Sequence, residues 1–100
     1  MDEKLNSSNK PIIVRRFIVS GKVQGVFFRT STREQALSRN LSGYAKNLHS
    51  GQVEVLAQGD PELIEELFQW LHLGPKLARV DSVIEVGAGC ELELEGFKIF

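Results

Sequence analysis

The residues in this 100-residue chain best suited to chemistry are nine consecutive ones, Gly21-Lys22-Val23-Gln24-Gly25-Val26-Phe27-Phe28-Arg29. Two glycines four apart free the backbone to curl, so that successive N–H groups can point into one concavity. The segment follows an apolar, strand-like run (Ile12 to Val19) and precedes a stretch without helix breakers. The amides that open a helix, and its dipole, favour negative charge there. Arg29 falls on the first turn and offers a planar fork of donors matched to phosphate or carboxylate oxygens. Together these parts make a cradle for an oxyanion; a strand-to-helix turn with a surface arginine is the plainer reading of the same residues. The better-known cradles do not fit, because neither a Walker string nor a Gly-x-Gly-x-x-Gly fingerprint occurs. No cysteine precedes Arg29, which excludes a thiolate nucleophile within the loop.

A cradle needs a partner that acts on what it holds. Asn47 stands near the end of a second strand-like segment, in Gly43-Tyr44-Ala45-Lys46-Asn47-Leu48-His49-Ser50-Gly51. An amide there can accept from one water hydrogen and donate to a phosphoryl oxygen, positioning water rather than deprotonating it. Turn chemistry accounts for an Asn at a strand end equally well. The two histidines, His49 in the turn and His72 on the polar side of a helix, have no evident carboxylate partner and read as surface residues. One cysteine and no paired His/carboxylate spacing leave no metal site to expect. No Gly-x-Ser-x-Gly elbow is present.

The elements that must position these residues are legible in the periodicity. Met1 to Lys10 is polar and charged and reads as a flexible tail, with Pro11 at its end; residues 12–100 form a single domain. In the first strand, residues 12–20, Ile13, Phe17 and Val19 share the apolar parity, and Arg15 falls on it too. A helix is expected from Phe28 to about Asn40, with Phe28, Thr32, Ala36, Leu37 and Leu41 at helical spacing. Gly43 to Leu48 and Gln52 to Gln58 make two strands around a His49-Ser50-Gly51 hairpin turn. Asp60 and Pro61 are an N-cap and a first helical residue, and Ile64, Leu67, Phe68 and Leu71 follow as an amphipathic stripe. Gly74-Pro75 stops that helix. Residues 78–86 form another strand, and a short one runs through Phe97 and Ile99. The order is β-α-β-β-α-β plus a small extra C-terminal strand. This is an α+β, ferredoxin-like sandwich with two helices on one face of an antiparallel sheet.

Bulk properties exclude several function classes. A net charge of −1 gives no case for non-specific nucleic-acid or membrane binding. The charge is split, with nine Lys/Arg against three Asp/Glu in residues 1–50 and three against ten in residues 51–100. The loop lies in the basic half, which suits a small anion. A lone cysteine, Cys90, read as a structural thiol, fits a reducing compartment. With no signal-like or membrane-spanning run, a cytoplasmic protein is expected, and monomer is the default state.

The string Gly21-Lys-Val-Gln-Gly-Val-Phe-Phe-Arg29, followed after 17 residues by Asn47 in a Gly-Tyr-Ala-Lys-Asn context, resembles the acylphosphatase family. The likeness continues through Trp70-Leu71-His72-Leu73-Gly74-Pro75 and Ala78-Arg79-Val80-Asp81, covering nearly everything from Ile13 to Phe100. It implies hydrolysis of the carboxyl–phosphate bond of small acyl phosphates without metal or cofactor. By position it assigns Arg29 to substrate binding, Asn47 to orienting water, and Lys22 to Phe28 to a phosphate-binding loop. Two departures are Tyr44, where many members carry Trp, and His49-Ser50 in place of a commoner acidic turn. Rival readings are a non-catalytic small-anion or RNA-binding module on the same fold, and a domain of a larger hydrogenase-maturation enzyme. The RNA reading lacks a stacking platform, since Val53-Glu54-Val55 and Ile84-Glu85-Val86 present no aromatic residues. The larger-enzyme reading would need zinc-finger or carbamoyl-transfer regions, which the sequence to Phe100 does not contain.

Overall fold

A computed structural model describes residues 11–89 and 95–100. The elements run β1 (Ile13–Lys22), α1 (Phe28–Leu37), β2 (Ser42–Asn47), β3 (Val53–Gly59), α2 (Pro61–Leu73), β4 (Arg79–Val86) and β5 (Phe97–Ile99). The tail Met1 to Lys10 and Cys90 lie outside the described residues.

The strands form one sheet in the order β4-β1-β3-β2-β5. Period-2 patterning decides its buried face. Phe17 pairs with Val55 and Val55 with Ala45, so one parity of β1, β2 and β3 lines up across the strands. These residues and Val19, Val53 and Ala57 are fully buried. Onto them pack Ile64, Leu67 and Leu71 of α2, together with Phe28 and Ala36 of α1, so both helices cover the same face. Each large apolar side chain buried in this way stabilises the fold by about 2 kcal/mol. The first four strands are antiparallel to their neighbours, as expected, but β5 runs parallel to β2, with Gly43 opposite Phe97 and Ala45 opposite Ile99. The extra strand therefore joins the edge opposite β4 and makes the sheet mixed. Among the described residues no helix is long and apolar enough to cross a membrane.

Local chemistry explains the helix ends. The Asp60 carboxylate accepts the Glu62 amide at 2.8 Å, and Pro61 opens α2 where its missing N–H costs nothing. Helix α1 stops three residues before Asn40, although the apolar spacing runs on to Leu41. Asn40 adopts a left-handed φ of 58°, its N–H reaches Leu37 O at 3.1 Å, and the Leu41 N–H reaches Ala36 O at 2.9 Å. That pair of bonds is a Schellman closure, with Asn in the position where glycine is commoner. Leu41 is still buried, so its apolar spacing reported burial rather than helix.

Arg15 keeps the apolar parity without breaking the pattern. Its guanidinium lies 5.1 Å from the Phe17 ring centre and 5.0 Å from that of Phe68, while its nitrogens reach Glu65 and Glu85 at 2.8 Å each. The aliphatic stem covers the core and the charged head meets carboxylates from α2 and β4.

Candidate active site

The two loop glycines have different jobs. Gly21 belongs to β1, beside a register shift between Ser20 and Gly21 against β4. A Cβ there would collide with the Arg79 carbonyl oxygen and lie 2.8 Å from the Asp81 nitrogen, so the strand backbones themselves require glycine. Gly25 sits in the loop proper with φ 76° and open space around its Cα. The loop is pinned by Val23, Val26 and Phe28, each at most 4% exposed, while Gly25 and Phe27 stand outward. Phe27, just before α1, is left-handed at φ 64°, and the helical residue Phe28 follows it. This reversal of handedness turns successive amides toward one side. Among the described residues, the amides of Gln24 to Phe27 donate to no backbone oxygen, and the first amides of α1 have no partner within the helix. The result is a concave row of free donors.

Arg29 extends from the first turn of α1 beside a pocket of about 240 Å³ lined by Val23, Gly25, Phe27, Phe28, Arg29 and Thr30. Its Nη1 donates to the main-chain oxygen of Phe100 at 2.8 Å. The same oxygen accepts the backbone N–H of Asn47 at 3.1 Å, and the Phe100 N–H returns to Ala45 O at 2.9 Å. The parallel ladder of β5 on β2 thus continues one residue past the strand and delivers an acceptor between Arg29 and Asn47. This shared oxygen joins the arginine side chain on α1 to the asparagine backbone on β2.

Asn47 ends β2 opposite Val53. Its side-chain Oδ1 is buried with no hydrogen-bond partner among the described residues. A buried amide oxygen left unpaired costs roughly 1–3 kcal/mol, and at a reactive site that cost is compensated when a ligand or water donates to it.

Gln24 links the loop to the β2–β3 hairpin. Its Nε2 donates to Leu48 O and to Gln52 O, 2.9 Å each. Those carbonyls also close the turn, accepting Gly51 N–H at 3.1 Å and Leu48 N–H at 2.9 Å. Gln52 in turn donates to Ser20 Oγ on β1 at 2.8 Å. The side chain of Gln24 and the main chain of Phe100 are site parts that sequence reasoning passed over. Gln24 entered it only as a loop amide, and nothing in the spacing marks Phe100. Lys22 is exposed at the end of β1. His49 is exposed in the hairpin turn. His72 is exposed too, with Nδ1 2.9 Å from the Phe68 carbonyl oxygen and the ring edge-on to Phe68. Among the described residues no three His, Cys, Asp or Glu side chains converge as a metal site would require.

The pocket is thus bordered by the loop and the Arg29 guanidinium, and the backbone of Asn47 meets Arg29 at the Phe100 oxygen, an arrangement suited to holding a small oxyanion. The family model for acylphosphatase matches residues 15–99. An acylphosphatase of Vibrio cholerae is 52% identical over 84 residues, which are 84% of this chain and 92% of that protein. The solved acylphosphatase of Coxiella burnetii aligns with a TM-score of 0.82 and 39% identity, over 89% of this chain and 93% of that one. That of Bacillus subtilis aligns with a TM-score of 0.83 and 29% identity, over 89% and 98%. A cradle of this shape, on this order of strands and helices, in a sequence this close to such relatives, places the chain in the acylphosphatase family.

Proposed function

We propose that the protein hydrolyses the carboxyl–phosphate bond of acyl phosphates to a carboxylate and inorganic phosphate. The water oxygen attacks phosphorus in line while the bond from phosphorus to the acyl oxygen breaks and its electron pair leaves with the carboxylate. The leaving group is stable as an anion and needs little help from a general acid. The water's proton passes to a phosphoryl oxygen of the substrate, because no base is needed before the loose transition state has formed. Charge on the equatorial oxygens is met by Arg29 and by the amides of the loop Lys22 to Phe28, and Asn47 orients the water. The observation that carries this reading is the shared Phe100 oxygen, which brings Arg29 and the Asn47 backbone to one acceptor beside the row of free amides.

The test uses purified protein with benzoyl phosphate, with and without chelator. Arg29→Gln should lower kcat/KM by about 10²-fold or more and weaken competition by inorganic phosphate, since a preorganised charged donor is lost. Asn47→Ala should lower kcat by a similar factor while inorganic phosphate binds within about twofold of wild type. Wild-type kcat/KM in the first variant, or loss of phosphate affinity in a folded second variant, would remove the respective assignment. The proposal extends to a monomeric cytoplasmic enzyme built as one domain over residues 12–100 with residues 1–11 as a tail. A single cysteine, which asks for no oxidising compartment, supports the location, and sedimentation velocity tests the monomer.

A further inference from the structure

Phe27 is out of keeping with its neighbours. Val26 is 4% exposed and Phe28 1%, yet the phenyl ring between them is 72% exposed and lines the same pocket as Arg29. Its backbone holds a left-handed conformation that glycine would adopt with less strain. An aromatic residue here therefore serves neither packing nor backbone geometry. The pocket of about 240 Å³ is larger than a phosphoryl group fills, and the wall left over beside Arg29 is an apolar ring.

We propose that Phe27 is the specificity-determining wall for the acyl half of the substrate, favouring acyl phosphates with a planar apolar or aromatic group over short aliphatic ones. The inference rests on the acyl phosphate hydrolase reading. With the phosphoryl group held by Arg29 and the loop amides, the acyl group projects from the phosphorus and an apolar one loses water against the exposed ring. Ring-on-ring contact adds to that gain.

The experiment measures kcat/KM for benzoyl phosphate and for acetyl phosphate and reads their ratio, which divides out any general disturbance of the loop. In Phe27→Ala the benzoyl-to-acetyl ratio should fall about tenfold, the scale of discrimination one apolar contact supplies. In Phe27→Tyr, which keeps the ring, the ratio should stay within about twofold of wild type. An unchanged ratio in Phe27→Ala, however far both activities fall, overturns the inference and leaves the hydrolase reading standing. A wild-type protein that turns over neither substrate overturns both.

Discussion

Tyr44 on β2 is partly buried, and its hydroxyl feels both that burial and a neighbouring carboxylate. Its hydroxyl donates to Glu54 Oε2, which also accepts Arg16 Nη1 at 3.5 Å, and its ring lies 5.7 Å from that of Phe100. Burial, and then the hydrogen bond to Glu54, push the phenol up from 10.0 to about 12. The folded value exceeds the unfolded one, so the contribution to stability is whole below pH 10.0 and drains as pH rises toward about 12. Tyr44 is the single tyrosine, so phenolate absorbance reports it alone. The midpoint should lie near 12 in native protein and near 10 in urea; a native midpoint near 10 would mean that the contact does not hold. Such a contact cannot be read from sequence, where Tyr44 is only a departure from a commoner Trp. The left-handed backbone of Phe27 was equally hidden, because nothing in a residue's type announces strain.

Among the elements, β1 and its loop carry the most testable geometry. Gly21→Ala should destabilise the protein by roughly 2–4 kcal/mol, because its Cβ meets the backbone of β4 and neither strand can yield. Gly25→Ala meets nothing within 4 Å and should cost only about 1 kcal/mol of left-handed backbone strain. Thermal unfolding of the two variants checks the contrast, and equal losses would contradict it. Gln24 belongs to this scale as well, since its amide joins loop to hairpin. Gln24→Met removes two hydrogen bonds but keeps the side chain's length. It should cost about 1–2 kcal/mol in urea unfolding and lower kcat, because the hairpin turn that follows Asn47 is no longer held to the loop. Normal kcat with lowered stability would limit Gln24 to a structural link.

Over the whole molecule, the charge split between the two halves of the chain is partly met by ion pairs between them. Arg15 pairs with Glu65 and Glu85, Arg16 with Glu54, and Arg39 with Glu66, so these arginines of the basic half meet carboxylates of the acidic half. With these arginines engaged by carboxylates, the basic balance of residues 1–50 does not by itself argue for an anionic ligand. Hydrogen bonds from Arg15 hold the Glu65 and Glu85 carboxyls below the ordinary carboxylate range. Each then binds fewer protons when folded than when unfolded. The stabilisation is present above about pH 4.5 and is lost as pH falls through the depressed values. Arg15→Gln should lower the urea midpoint more at pH 7 than at pH 3, because the packing over Phe17 and Phe68 is lost at both while the ionic part weakens as the carboxyls take up protons in acid. Equal shifts at the two pH values would assign Arg15 to packing alone.

Element type and order and the capped second helix were determined by the sequence itself, which also set Gly21 to Arg29 and Asn47 apart as candidates. Periodicity, caps and breakers act over a few residues, and their physics is local. The tertiary structure alone decided how those parts meet. It set β5 parallel to β2, placing the Phe100 oxygen between Arg29 and Asn47, and it turned the Gln24 amide onto the hairpin. It also separated Gly21, fixed by a neighbouring strand, from Gly25, fixed by its own loop. These are contacts between residues 24 to 71 positions apart, and no local spacing rule records which distant backbone will arrive beside a given side chain.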